Sequence, residues 1–384
     1  MNHITLKILL TIISTLILLY SISKSKNTSS PLYKTQHQIE YITEMDNLFP
    51  NGTINGEGWS RKAIWRYKRK YIKSYSIFIK EWDYYSNYIP ELKIWICLTI
   101  SDLGYAGMYS LSVIDLNINK FNQIEEIIPF TFGKINLSEN SLDDHFINFK
   151  GKKINISFEK KSNKRIIKAK SDNFILPNGK KGIEVQFINY QNKNHESINI
   201  QTTWSHNRNL FYLNEKLNGL ESKTNLKIEN KEINIKNNSF TTLDWGRGVW
   251  SYYDTWFWSS GTGIINNNKI GFNFGYGFSD RSSATENCIF YNNIIHKVDI
   301  VYFDIPNNIM DKWIIRSNDN KVFLYFYPKV DRISRMNFFV IKSIQDQVFG
   351  VFEGKFVLDN GFVVNVKEFY GFAEKVYNRN MNLS

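Results

Sequence analysis

The chain has 384 residues and a net charge of +12, and its 42% hydrophobic and 22% charged residues are the composition of a globular protein, not of a disordered one. Two cysteines exclude a disulfide framework and a cysteine-based zinc site, and six scattered histidines argue against a histidine-rich metal centre. Aromatic residues make up 16% of the chain, which favours a large core, an aromatic-lined cavity, or both.

An apolar segment at residues 8–22 follows Lys7 near the start of the chain. As a helix it would rise about 22 Å, which suits a signal-peptide core and is shorter than the roughly 30 Å of a bilayer interior. Extension to Ile4, with Lys7 reaching the interface, would allow an uncleaved anchor. We therefore predict a short hydrophobic helix and linker over residues 1–30 and a membrane location, with secretion after signal cleavage as the alternative.

A basic and aromatic run follows at residues 61–73, which contain no acid. Such interleaving can bind nucleic acid or an anionic membrane surface. A solvated, lysine-rich surface gives the same pattern, and no nucleic-acid motif accompanies the run. We expect no nucleic-acid partner.

Residues 80–85 alternate charged with aromatic side chains. On a strand, Glu81 and Asp83 would lie on one face and Trp82 and Tyr84 on the other. Charges on one face usually meet solvent, whereas paired carboxylates inside a barrel would support chemistry. We favour solvent for one of the two carboxylates, and we take Trp82 and Tyr84 as candidate binding residues.

Strand patterns dominate the rest of the chain. Residues 182–188 alternate with period two, and the segments around Asn292-Asn293 and Asp359-Asn360-Gly361 read as hairpins, the last with a type I′ turn. No long apolar stripe of helical period follows residue 40. The sequence therefore predicts an all-β protein of two barrel or sandwich domains, at residues 31–240 and 241–384.

The most unusual stretch is residues 243–258, where seven of the fourteen residues from Trp245 to Trp258 are aromatic. We expect Asp244 and Arg247 to pair and to be buried. One interpretation is an aromatic pocket for an apolar ligand, with Asp244 as a catalytic acid or base. The other is a tight corner held by an Asp–Arg ion pair, with the rings filling the core. The candidate binding residues of this stretch are Arg247, Trp250, Tyr253, Trp256 and Trp258.

A polar run at residues 277–287 interrupts the strand pattern and contains two acids and an arginine. Loops at barrel mouths often carry function. Glu286 is therefore the second candidate acid or base, and Asp280 is a candidate binding residue. No P-loop, dinucleotide fingerprint, serine elbow or H-E-x-x-H motif is present, so we expect neither a cofactor nor a metal.

The chain resembles the family called domain of unknown function 2804 from about Gln36 to Asn380. The match rests on six segments in the same order: 58–62 (GWSRK), 80–85 (KEWDYY), 243–250 (LDWGRGVW), 285–287 (TEN), 347–350 (QVFG) and 371–374 (GFAE). That family is distantly similar to lipocalin-like proteins of the carotenoid hydratase type. The resemblance implies two calycin-like or lipocalin-like β-domains, and it supplies no reaction.

Three functions remain open on the sequence. The first is a binding protein that holds a hydrophobic small molecule, isoprenoid-like or acyl-like, in an aromatic-lined pocket. The second is a metal-independent enzyme of the hydratase or isomerase type that works by acid–base chemistry. The third is a structural surface protein without a ligand. The aromatic content favours the first two over the third.

Overall fold

The computed structural model describes residues 38–251, 253–338 and 341–380. This part of the chain is all-β, as the alternating pattern predicts, and its helices are three short 3₁₀ turns. The predicted hydrophobic helix and linker at residues 1–30 lie outside the described residues, so the membrane location stays a prediction. Within the described ranges, no helix is long and apolar enough to cross a bilayer.

The strands are numbered in chain order. They are β1 (Met45–Asp46), β2 (Gly58–Ser60), β3 (Trp65–Arg66), β4 (Ile79–Ile89), β5 (Ile94–Asp102), β6 (Ala106–Asp115), β7 (Lys120–Pro129), β8 (His145–Lys150), β9 (Asn155–Lys161), β10 (Lys164–Ile175), β11 (Lys181–Tyr190), β12 (Ile198–Trp204), β13 (Asn207–Ile228), β14 (Lys231–Ile233), β15 (Ser239–Val249), β16 (Tyr253–Ile265), β17 (Asn268–Tyr276), β18 (Cys288–Tyr291), β19 (Ile294–Lys297), β20 (Val301–Asp304), β21 (Trp313–Ser317), β22 (Val322–Phe338), β23 (Ile341–Val357) and β24 (Val363–Asn380). The 3₁₀ helices are Arg69–Tyr71, Ser76–Phe78 and Pro90–Leu92.

The first sheet is antiparallel and runs in the order β7-β6-β5-β4-β15-β13-β11-β10-β9-β8, with β12 and β14 paired to β13 and β2 paired to β12. It curls until its two edges meet. The carboxylate of Glu126 on β7 accepts hydrogen bonds from the backbone N–H groups of Lys153 and Ile154, between β8 and β9. The rings of Tyr109 and Phe149 stack across the same junction. The inner face of the curled sheet covers an apolar core.

The second sheet is also antiparallel and runs in the order β19-β18-β17-β16-β24-β23-β22-β21-β20. Its own core contains Phe272, Trp313 and Phe356, all fully buried. In chain order, the last strand of the first sheet is β15, which ends at Val249. The first strand of the second sheet is β16, which begins at Tyr253. The predicted domains, 31–240 and 241–384, would place β15 with the second sheet, and that division stays a prediction about folding units.

A third core lies between the sheets. It joins Tyr84, Trp95 and Phe240 of the first sheet to Trp258 and Phe372 of the second. The central strands of the first sheet are therefore covered on both faces, and every residue of β15 is buried. A polar side chain on either face of β15 must consequently find a partner inside the protein.

Candidate functional site between the two sheets

Alternation along β15 sends its two charged side chains in opposite directions. Asp244 faces the second sheet and pairs with Lys216, whereas Arg247 faces the core of the first sheet and pairs with Asp83. Both residues are buried, as predicted. The predicted Asp244–Arg247 ion pair is wrong, because an odd spacing along an uninterrupted strand puts two side chains on opposite faces.

Arg247 belongs to a structural network on the inner face. Its Nη2 donates to Asp83 Oδ1 at 2.9 Å and to the carbonyl oxygen of Ser138 at 3.1 Å. The neighbouring Glu81 pairs with Arg69 at 2.6 Å. Both acids of β4 are buried, so the expectation that one of them meets solvent is wrong, because the inner face of β4 is covered as well as its outer face.

Lys216 on β13 brings the two candidate acids together. Its Nζ lies 2.8 Å from Asp244 Oδ1 and 3.7 Å from Glu286 Oε2. Asn214, two residues earlier on the same face, donates to the same Asp244 oxygen at 2.7 Å. The ammonium also lies 4.2 Å from the ring centroid of Trp258 on the second sheet. One buried lysine thus bridges β13, β15 and the 277–287 loop.

A third acid joins this group from β24. Glu374 pairs in register with Trp258 and is buried. Gln347 on β23 donates to Glu374 Oε2 at 3.0 Å and lies 3.4 Å from the hydroxyl oxygen of Tyr84. We call Lys216, Asp244, Glu286 and Glu374 the charge cluster.

Burial shifts two acids of the charge cluster, Glu286 and Glu374, toward their neutral forms by raising their pKa values. It raises the pKa of Glu286, Lys216 opposes that shift and Asp244 adds to it. Burial also raises the pKa of Glu374 to about 7. The pKa of Tyr212, which faces the cluster from β13, is raised well above its usual value by burial and by Glu286. The site therefore holds proton donors at neutral pH.

An aromatic wall adjoins the charge cluster, and it consists of Trp82, Tyr212, Trp250, Trp256 and Phe278. Trp82 stacks on Tyr212 with ring centroids 6.2 Å apart, and it meets Trp250 edge-on at 5.0 Å. Phe278 contacts Tyr212, Trp250 and Trp256 at 4.7–5.1 Å. Four of these rings are only partly buried, whereas Tyr212, the ring nearest the cluster, is buried.

A separate acid lies at the other end of the wall. Asp254 is on the same face of β16 as Trp256 and Trp258, and it is 7% exposed. Its Oδ1 accepts a hydrogen bond from the indole N–H of Trp204 at 3.1 Å, and its Oδ2 has no hydrogen-bond partner among the described residues. The Trp204 ring in turn packs against Phe278 of the wall at 5.1 Å.

The structure thus places most of the predicted site residues in one region. Asp244 and Glu286 meet at Lys216; Tyr84 and Trp258 lie beside the cluster; and Trp82, Trp250 and Trp256 belong to the wall. Asp280 instead pairs with Arg208 at 2.9 Å, on the loop that leads to Glu286. Tyr253 begins β16, and its side chain lies outside the described part.

Sequence reasoning missed Lys216, Glu374, Tyr212, Phe278 and Asp254 as site residues. Lys216 carried a usable signal, since it is the one lysine between Leu210 and Leu220, in a strand that is apolar at both ends of that stretch. Glu374 carried only its place in the family segment 371–374, because its role beside Asp244 depends on a strand that lies 130 residues away in the sequence and approaches Asp244 only in the fold. The described residues hold no group of three or more His, Cys, Asp or Glu side chains that fits a metal ion.

Fold and site together define a two-sheet β-protein with a buried acid–base cluster and an aromatic wall between its sheets. The chain belongs to the family described as "Domain of unknown function (DUF2804)", which matches residues 38–380. No curated protein matches the chain.

This structure resembles several solved structures, of which two serve as examples. A proposed AttH protein from Nitrosomonas europaea gives a TM-score of 0.49 at 10% identity, over 79% of this chain and 93% of that chain. Kievitone hydratase from Nectria haematococca gives a TM-score of 0.43 at 12% identity, over 78% of this chain and 89% of that one. At these levels of similarity, function has to be inferred from the geometry of this chain itself.

Proposed function

We propose that the protein binds an apolar small molecule on the aromatic wall between its two sheets. The observation that carries this proposal is the wall itself, in which Trp82, Trp250, Trp256 and Phe278 contact one another and remain partly exposed beside a buried charge cluster. Contiguous exposed apolar surface is unfavourable in water, at about 25 cal/mol per Å². Where such a surface persists, it commonly marks a binding site.

The charge cluster gives the proposed site a polar end. Lys216 donates to Asp244, and Oε2 of Glu286 lies 3.7 Å from the same ammonium. Within the part of the chain that the structure describes, this oxygen has no hydrogen-bond partner. A hydroxyl or carbonyl group of a ligand would satisfy such a buried oxygen, in its protonated or ionised form. Apolar sites with a few convergent polar groups are typical of small-molecule binding.

Tryptophan fluorescence tests this function. Retinoid and fatty-acyl probes should quench the emission of the wild-type protein in a saturable manner, because they would contact three tryptophans of the wall. Trp256→Ala should weaken binding about tenfold or more, since a buried aromatic contact contributes well over 1.4 kcal/mol.

Phe257→Ala is the matched control. Phe257 follows Trp256 on the same strand but faces away from the wall, where it stacks on Tyr276 and Phe303. This variant should retain wild-type affinity, and circular dichroism should show that both variants keep their β-structure. Absence of saturable quenching across the panel, in a folded wild-type protein, would refute the proposal.

A second candidate function is acid–base catalysis on the bound molecule, as in an isomerase or hydratase. The observation that favours it is Glu286, a largely buried acid whose pKa is raised by burial and by Asp244, and whose Oε2 lies 3.7 Å from Nζ of Lys216. Incubation of a bound compound in D₂O should then place deuterium on a carbon atom, as mass spectrometry would detect. Glu286→Gln should abolish the incorporation while it spares binding, and equal incorporation by wild type and variant would exclude this role for Glu286.

A further inference from the structure

A polar groove lies on the outer face of the first sheet. It has a volume of about 890 Å³ and crosses strands β8 to β11, β13 and β14. Along these strands Ile156, Ala169 and Val185 belong to the apolar core, so the residues that alternate with them face outward. None of the residues that line this outer groove belongs to the aromatic wall or to the charge cluster.

The strand register arranges the polar side chains of the outer groove in two rows. The members of the first row, each paired with the next across a ladder, are Asn148, Ser157, Lys168, Gln186 and Asn225. The members of the second row are Asn155, Lys170, Glu184, Lys227 and Glu232. Neighbouring strands lie about 4.8 Å apart, so each row is about 19 Å long. The groove thus presents an extended strip of hydrogen-bonding groups, which suits a chain molecule better than a single small ion.

Positive charge is concentrated in this part of the protein. Residues 145–236, which contain β8 to β14, have 18 Lys and Arg and 8 Asp and Glu, so they hold +10 of the chain's net charge of +12. The two acids of the groove pair with two of its lysines at 3.4 and 3.8 Å, in exposed pairs that contribute little. Lys168, at the centre of the first row, is exposed and has no acid partner among the described residues. The charge of the groove is therefore complementary to an anionic partner.

The kinds of side chain in the outer groove indicate which anionic chain it fits. Its lining residues include no aromatic ring on which a base could stack and no arginine to bind a phosphate in two places. Its amide and hydroxyl groups both donate and accept hydrogen bonds, as the hydroxyl groups of sugars do. Lysine-rich segments also occur in surfaces that bind heparin. These features favour an acidic polysaccharide over a nucleic acid.

Beyond the apolar ligand of the aromatic wall, we propose that the outer groove binds a linear acidic polysaccharide. Lys168 contacts a carboxylate or sulfate group of the chain, and Gln186 and Asn225 contact its hydroxyl groups. Asn225 donates to the side-chain oxygen of Gln186 at 3.1 Å, which fixes the orientation of both amides. Because the ammonium groups are exposed, the affinity should fall as the salt concentration rises.

Fluorescence polarisation with labelled oligosaccharides of equal length tests the proposal. A heparin fragment carries sulfate groups, an oligogalacturonate carries only carboxylates, and a maltooligosaccharide carries no charge. At least one acidic chain should bind roughly tenfold or more tightly than the neutral chain, and the better of the two identifies the acidic group. The triple variant Lys168→Gln, Lys170→Gln, Lys227→Gln should lower that affinity about tenfold or more, because it removes three exposed ion pairs.

The matched control removes the same charge from the second sheet. It is the triple variant Lys329→Gln, Lys355→Gln, Lys367→Gln, whose lysines are all exposed. This control should keep the wild-type affinity, and circular dichroism should show that both variants are folded. An equal loss in the two triple variants would overturn the inference, because net charge alone would then explain the binding.

Two further outcomes would also overturn the inference. One is failure of both acidic oligosaccharides to bind. The other is tighter binding of polyglutamate or of single-stranded DNA, which would indicate an acidic peptide or a nucleic acid as the partner. Neither outcome bears on the aromatic wall, and the groove variants should bind the retinoid and fatty-acyl probes as the wild type does.

Discussion

At the scale of single residues, Lys216 is the group that permits three carboxyl groups to lie between the sheets. Burial raises the pKa of Glu286 and of Glu374, so at neutral pH these two acids are drawn toward their uncharged forms. Asp244 is then the natural counter-ion of Lys216, at 2.8 Å. The cluster approaches neutrality by protonation and pairing together, which is the usual condition for burying charge.

Replacing Lys216 with methionine should therefore destabilise the protein strongly. The change leaves Asp244 buried without a cation, and breaking one side of a buried pair typically costs about 3–5 kcal/mol. Urea unfolding followed by fluorescence would measure the loss. In the double variant Lys216→Met with Asp244→Asn, no charge is stranded and most of the stability should return. A single variant as stable as wild type would show that the Lys216–Asp244 pair does not stabilise the fold.

The sequence could predict the face of each residue in this region but not its partner. The alternation of Glu81 and Asp83 with Trp82 and Tyr84 was predicted correctly, because strand geometry is local. The partner of Asp244 was not, because Lys216 lies on a neighbouring strand 28 positions earlier in the chain, and the three-residue spacing to Arg247 suggested a bend that the strand does not make.

At the scale of elements, β15 shows why a glycine lies in the middle of a fully buried strand. A Cβ atom at Gly246 would lie 1.9 Å from the ring of Trp82, so the ring packs directly on the glycine backbone. This contact sets the distance between the Trp82 ring of the aromatic wall and the backbone of β15. Gly246 and Trp82 are also direct neighbours across the β15–β4 ladder.

Gly246→Ala should consequently displace Trp82 and disturb the wall. Overpacking of this kind costs about 1–3 kcal/mol, and we expect a lower melting temperature and weaker probe binding. The control is Gly263→Ala on β16, where the nearest atom to an added Cβ, in Phe369, is 3.2 Å away and the effect should be smaller. Thermal unfolding and probe titration measure the two effects, and an unchanged Trp82 environment in the variant would contradict this account.

Turn chemistry was partly predictable at this scale. The hairpin around Asn292-Asn293 has both asparagines at positive φ, as a two-residue type I′ turn requires. The Asp359-Asn360-Gly361 hairpin forms, but only Gly361 has a positive φ there, so its turn is not type I′. This loop has one residue more than a two-residue type I′ turn, so only Gly361 adopts the left-handed conformation.

At the scale of the whole molecule, the two sheets share a core and polar contacts. Phe349 of the second sheet is fully buried and lies 5.5 Å from Trp95 of the first. Arg332 on β22 reaches across and donates to the hydroxyl of Ser112 at 3.0 Å. These contacts couple the folding of one sheet to that of the other.

We therefore expect one cooperative unfolding transition. Far-ultraviolet circular dichroism and tryptophan fluorescence should give the same midpoint in urea. Phe349→Ala, which empties part of the shared core, should reduce the free energy of unfolding by about 3–5 kcal/mol. The single urea midpoint should fall accordingly. Two separated transitions in the wild type would instead show that the sheets fold independently.

The all-β class follows from patterns that extend over a few residues, so the sequence was sufficient for it. The assignment of strands to sheets was not predictable in the same way. Nothing local to Ser239–Val249 indicates that this strand joins Ile79–Ile89 and not the strand that follows it in the chain. Long-range pairing of this kind depends on the competition among all strands at once.

The pairing of β15 with β4 has a consequence for synthesis on the ribosome. Ile79 pairs with Val249, and 170 residues separate them. Translation proceeds at roughly 5–20 residues per second, so β4 lacks its neighbour β15 for about ten to thirty seconds after its own synthesis. During that time the nascent chain presents an aromatic strand edge, with Trp82, Tyr84 and Tyr85, that is open to pairing with other chains. The yield of folded protein should therefore respond to translation speed and to chaperone supply.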